Sequence, residues 1–142
     1  MTRDEIQAFF SGRQALWNAR DPDGLADGHA ADSTVVSPMF GHLQGRAAIR
    51  DSYAAVFKIF PDWDLQIEDL IIDTNRVAQL FSVSATHVGE FMGFAGTNRR
   101  FQIQVVRLFE MGERLIKHEK RMYDFTGLLI QIGVIRGKPG KM

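Results

Sequence analysis

Cysteine is absent from this chain, which excludes disulfide staples and thiolate-bound metal. An excess of charge is missing too, since 17 lysine and arginine residues balance 17 aspartate and glutamate residues. Nucleic acid and anionic membranes are bound through a basic excess, so neither is expected as a partner. No apolar stretch is long enough to span a bilayer. The first residues have no apolar run behind their charges, so no signal peptide is expected. The four histidines, His29, His42, His87 and His118, have no pair at ligand spacing on one element, so no metal is expected. Phosphate loop, dinucleotide fingerprint and nucleophile elbow are all lacking. What remains is a cytoplasmic globular protein, and 142 residues suit one domain, expected over 1–134 with a loose tail at 135–142.

What is present reads as helices first and strands after. Thr2 and Glu5 have capping-box spacing, and Ile6, Phe9, Phe10, Arg13, Leu16 and Trp17 form one stripe of a helix running to about Arg20. Asp21 and Pro22 suit the start of a second short helix, expected over Leu25 to His29. Ser33 to Ser37 reads as a short edge strand ended by Pro38. Gly41 and Gly45 bracket a turn. A third helix runs from Arg46 to about Ile59, with Ile49, Tyr53, Val56, Phe57 and Phe60 buried, and Pro61 stops it. Trp63, Leu65 and Ile67 alternate, then the phase slips at Glu68-Asp69, the mark of a bulge. Strands follow at Val77–His87, Phe101–Glu110 and from Ile116 on, the first two separated by a glycine-rich loop from Gly89 to Gly96. Leu128, Leu129 and Ile132 then have helical spacing. Segregated helices and strands give an α+β fold.

Asp124 stands where the last strand hands over to that helical turn. A two- or four-residue loop around Met111-Gly112 pairs odd positions of one strand with even positions of the next. Phe101, Ile103, Val105 and Phe109 are then expected to share a face with Ile116, His118, Met122 and Asp124. Lys120 and Arg107 fall on that face too, and Gln102, Gln104, Lys117, Glu119 and Arg121 on the opposite one. A three-residue loop would reverse the assignment. Asp124 has two readings: a general base facing a pocket, or a helix N-cap. His118 either orients a substrate carbonyl or donates a proton to it, or is a satisfied core or sheet histidine. His87 either contacts ligand or holds the glycine-rich loop. Phe91, Met92 and Phe94 are a cavity wall or plain core, and Tyr53 and Trp63 offer polar tips inside an apolar pocket or simply pack. Arg99-Arg100 is read as a solvated strand end.

The chain resembles the SnoaL-like polyketide cyclases, in the superfamily of nuclear transport factor 2 and ketosteroid isomerase. The residues that carry the resemblance are Asn18-Ala-Arg-Asp21-Pro-Asp-Gly-Leu25, Gly45-Arg-Ala-Ala-Ile49-Arg-Asp-Ser-Tyr53 and Phe60-Pro61-Asp62-Trp63. Thr86-His87-Val-Gly89-Glu-Phe91-Met-Gly93 and the closing Asp124-x-x-Gly127-Leu-Leu-x-Gln131-x-Gly133 are the most specific. The resemblance implies a cone-shaped barrel, one curved, mainly antiparallel sheet around three N-terminal helices with a ligand cavity inside. It implies a base at Asp124 that enolises a small apolar, polyketide-like carbonyl ligand for intramolecular aldol closure, without metal or cofactor. Lys120 stands where the family usually has a large aromatic residue, and Phe94-Ala-Gly-Thr-Asn98 replaces a common Pro-Ala-Thr-Gly run. Both changes fall in the presumed pocket, with Met122 beside them, so substrate identity does not carry over. An isomerase or hydratase would use the same parts. A non-catalytic ligand-binding or dimerisation domain is the alternative, and a homodimer through the outer sheet face is expected either way.

Overall fold

The apolar stripe of the first helix fixes the layout. In the computed structural model, which describes residues 1–141, α1 (Arg3–Ala19) buries Ile6, Phe10, Arg13 and Trp17 against a sheet. Its capping box is formed, with Thr2 Oγ1 accepting from the Glu5 N–H and Glu5 reaching back to the Thr2 N–H. α2 (Pro22–Asp27) starts from the Asp21 cap but stops two residues earlier than expected. The reason is pairing: His29 opens β1 (His29–Ser37), which lies parallel to a strand 80 or more positions later in the chain. The segment between Gly41 and Gly45, expected as a turn, is a short edge strand, β2 (Gly41–Gln44). α3 (Arg46–Ile59) buries Ile49, Tyr53, Val56 and Phe57.

The remaining strands are β3 (Asp64–Asp73), β4 (Arg76–Thr86), β5 (Arg100–Met111) and β6 (Ile116–Tyr123), and α4 (Phe125–Gln131) follows. Among the described residues they form one six-stranded sheet in the order β2-β1-β6-β5-β4-β3, antiparallel except between β1 and β6. The sheet curves but does not close, because β2 and β3 remain its two edges. Its curvature is seated in bulges, which bend a strand by adding an unpaired residue. One is Glu68, between the pairs Ile67–Phe81 and Asp69–Leu80, where the sequence places it. The concave face holds the main core, in which Trp17, Tyr53, Phe60, Trp63, Phe81 and Phe101 meet. A smaller core at the other end joins Ile6 and Phe10 to Val77, Phe109 and Ile116. No helix among the described residues is long and apolar enough to cross a membrane. Met142, the last residue of the expected tail, lies outside the described residues.

Candidate active site

A second bulge decides what faces the cavity. The turn after β5 has four residues, so Met111 pairs with Ile116 as the sequence predicts. Lys117 is then left over, and Glu110 pairs with His118. From that point odd positions face odd positions: Phe109–Glu119, Arg107–Arg121 and Val105–Tyr123. A one-residue slip moves every side chain to the other face. The expected register is thereby corrected beyond Ile116. Glu119, Arg121 and Tyr123 point inward, while His118, Lys120 and Met122 are exposed on the outer face.

Four elements deliver a buried polar cluster to the concave side. α1 supplies Arg13, β1 His29 and Ser33, α3 Tyr53, and the β5–β6 pair Arg107, Glu119 and Arg121, all nearly inaccessible to solvent. Arg13 donates to the Leu25 carbonyl at 3.0 Å and to the Tyr53 hydroxyl at 3.0 Å. The Tyr53 oxygen lies 2.9 Å from His29 Nε2, and His29 Nδ1 lies 3.3 Å from Ser33 Oγ. Arg121 Nε donates to Glu119 Oε2 at 2.6 Å. Arg107 Nε is 3.6 Å from that same oxygen, too far for a hydrogen bond, and its guanidinium lies over Trp17 at 4.7 Å and Phe81 at 5.0 Å.

The electrostatics follow from burial. Desolvation pushes the His29 imidazole from its ordinary 6.5 to about 3, because Glu119 offsets too little of that cost and the arginines add to it. His29 is therefore neutral at physiological pH. Burial alone would raise the Glu119 carboxyl, but Arg121, Arg107 and His29 overcome it and hold the group at about 2. Desolvation and the neighbouring Arg121 pull Arg107 down to about 10. The cluster thus carries three guanidinium charges against one carboxylate. Removing an ion from water costs several kcal/mol even after relaxation, so an uncompensated buried charge is expensive.

Above this cluster lies a cavity of about 30 Å³ lined by Trp17, Met39, Phe40, Tyr53, Trp63, Phe81, Arg107, Arg121 and Tyr123, with Val56, Ile103, Val105 and Leu128. That space holds a water or two. Three donors in its walls have no partner among the described residues: Arg107 Nε, Arg121 Nη2 and Trp63 Nε1.

Of the residues singled out in the sequence, Tyr53 and Trp63 reach this cavity and the others do not. Asp124 is exposed and caps α4, its Oδ1 accepting the Gly127 N–H at 2.8 Å. His118 meets Thr34 of β1 at 2.6 Å on the outer face. His87 is buried away from the cavity. Its Nδ1 accepts the Thr97 N–H at 3.3 Å, which ties down the glycine-rich loop. Phe91 packs on Phe60, His87 and Phe125, whereas Met92 and Phe94 are exposed. Arg100 pairs with Asp62 at the surface. Sequence reasoning missed Arg13, His29, Glu119 and Arg121. Arg13 and Arg107 were visible as charges in apolar phase; the β6 pair was hidden by the bulge at Lys117.

The model of the SnoaL-like polyketide cyclases matches residues 10–132. The chain belongs to that family. No curated protein matches it in sequence. Among solved structures, AclR of Streptomyces galilaeus, assigned as a candidate hydroxylase, is 25% identical with a TM-score of 0.83, covering 97% of this chain and 91% of its own. IdmH of Streptomyces antibioticus, a candidate polyketide cyclase, is 23% identical with a TM-score of 0.74, covering 89% of this chain and 97% of its own. A protein of Catenulispora acidiphila with a ketosteroid isomerase-like fold, solved with trimethylamine, is 19% identical with a TM-score of 0.73, covering 94% and 95%. The last two likenesses establish the fold. In this SnoaL-like chain two arginines, and no carboxylate among the described residues, line the cavity.

Proposed function

We propose that this SnoaL-like chain is a cofactor-independent enzyme of the polyketide-cyclase type, acting on a small apolar ligand with an enolisable carbonyl inside the cone. The observation that carries the reading is Tyr53, which lines the cavity and whose hydroxyl lies 2.9 Å from His29 Nε2. Tyr53 takes the proton next to the ligand carbonyl as its own proton passes to neutral His29. Glu119 Oε1, 3.8 Å from His29 Nε2, faces the imidazolium that forms, and Arg13 holds the Tyr53 oxygen in place by donating to it. The free Arg121 Nη2 donates to the enolate oxygen. The enolate carbon then attacks a second carbonyl of the same ligand, and the proton returns from His29 through Tyr53 to the new alkoxide. The fall of His29 from 6.5 to about 3 adds roughly 5 kcal/mol, at about 1.4 per pKa unit, to the cost of protonating it relative to an ordinary imidazole, and the oxyanion contact works against that cost. Asp124 and His118 have no part in this scheme.

A second reading, ligand binding without turnover, is favoured by one observation: the carboxylate expected as base, Asp124, is an exposed helix cap. In either reading the protein is proposed to be a cytoplasmic homodimer, which sedimentation tests. The chemistry is tested by protein-catalysed exchange of ketone α-protons in D₂O across aromatic β-ketoesters. Tyr53→Phe is expected to slow exchange at least about 100-fold, in the range of a lost general base, with the fold intact. Exchange that survives Tyr53→Phe but not Asp124→Asn would return the base to Asp124. Tight binding with no exchange would favour the binding protein.

A further inference from the structure

Arg107 and Arg121 are directly opposed in the β5–β6 ladder, and both side chains enter the same cavity. Like charges directly across a strand pair repel, and burial leaves that repulsion poorly screened. Evolution of a plain core would place apolar residues at such positions, since well-packed hydrophobic replacements of buried ions are often neutral or stabilising. The one buried carboxylate nearby does not settle the pair. Glu119 is shared among Arg121, Arg107 and His29, and only Arg121 makes a hydrogen bond to it. Arg107 makes no hydrogen bond among the described residues, and Arg121 Nη2 and Trp63 Nε1 point to no acceptor either. Each of these side chains is more than nine-tenths buried. Arg107 and Arg121 together exceed Glu119 by one positive charge, and the three donors lack acceptors even though Glu119 Oε1 is itself without a hydrogen-bond partner among the described residues.

We propose that the cavity binds a monoanionic aromatic carboxylate, its two oxygens bridging the guanidinium groups of Arg107 and Arg121 and its ring held by the aromatic walls. A carboxylate is planar with two acceptor oxygens, which suits two guanidiniums side by side. Trp17, Trp63 and Phe81 supply flat apolar surface for a ring. The present 30 Å³ admits no ring, so binding displaces Met39 and Phe40, partly buried residues in the turn between β1 and β2. The inference rests on the cavity being the working site, and it refines that site's substrate class: an aromatic keto acid, apolar apart from its enolisable carbonyl and one ionised carboxylate, for which benzoate is a non-reacting probe. An arriving carboxylate also relieves the arginine charges that depress His29, which makes that imidazole a better proton acceptor.

The test is calorimetric titration of the whole protein with benzoate, with its neutral isostere benzamide and with inorganic phosphate. Benzoate is expected to bind at least about tenfold more tightly than benzamide, and phosphate to give no binding. Arg107→Met is expected to abolish the preference while keeping or raising Tm; Arg107→Gln serves if the methionine variant does not fold. Glu119→Gln removes the competing carboxylate, so benzoate should raise its Tm by more than it raises that of the parent. Equal binding of benzamide, no binding of benzoate, phosphate matching benzoate, or a preference that survives loss of Arg107 would each overturn the proposal. Failure of the catalytic reading looks different: benzoate binds selectively, yet no ketone exchanges its α-protons. Tyr53-dependent exchange that benzoate does not inhibit sinks the anion proposal alone.

Discussion

Glu119 is the residue on which the interior balance turns. It faces two guanidiniums and a neutral imidazole with a single negative charge. Glu119→Gln keeps shape and removes that charge, so it is expected to cost about 3–5 kcal/mol, the range for breaking a buried pair, read by urea unfolding. Arg107→Met relieves repulsion and is expected to be neutral or stabilising in the same assay. The pH dependence has a definite sign. His29 and Glu119 both have folded pKa values, about 3 and about 2, below their ordinary 6.5 and 4.5. The unfolded chain therefore binds more protons in acid, and stability rises with pH. The His29 contribution is full above about 6.5 and lost as pH falls toward 3; that of Glu119 is full above about 4.5 and lost toward 2. Unfolding midpoints should thus start to drop just below neutrality, and a His29→Gln variant should delay the drop until carboxylates titrate. Of this cluster, Arg13 and Arg107 could be read from the sequence, because a charge in the apolar phase of a helix or strand stands out. Glu119 and Arg121 could not, because their phase is set by an unpaired neighbour that no periodicity announces.

The short helices α2 and α4 share one device. Asp21 and Asp124 each cap a helix by accepting the N–H of a glycine three residues on, Gly24 and Gly127. A Cβ on Gly127 would collide with the Asp124 carboxylate, so the glycine makes room for the cap. This gives the closing Asp-x-x-Gly of the family a physical meaning independent of catalysis. Asp124→Ala is expected to lose about 1 kcal/mol and Asp124→Asn close to none. Gly127→Ala, which would gain about 1 kcal/mol in an ordinary helix interior, should instead destabilise, and thermal melts of the three variants check the order. None should alter ketone exchange, since the cap lies outside the cavity. Element types were legible where pattern is local: the α1 stripe, the Pro61 stop and the β3 bulge. The early start of β1 was not, because its parallel partner β6 lies far along the chain and no local alternation reports a distant edge.

At the scale of the molecule, the sheet is strongest at its middle and weakest at β2, four residues held on one side only. Hydrogen exchange should therefore be slowest in β4, β5 and β6 and fastest in β2 and the adjoining turn at Met39-Phe40. Benzoate should slow that turn selectively, since it is the wall that must move; uniform slowing would point to global stabilisation instead. The α+β class and the order of helices before strands were readable from composition and period, while the cavity itself was not, being a product of curvature and register together. One feature reaches further than its size. The backbone of β6 carries two complete sets of side chains, and the single unpaired Lys117 selects Glu119, Arg121 and Tyr123 for the interior over His118, Lys120 and Met122. The strand behaves like a message with two reading frames. A relative whose strand lacked that extra residue would present a different chemistry to its ligand without a single substitution among the residues that face it.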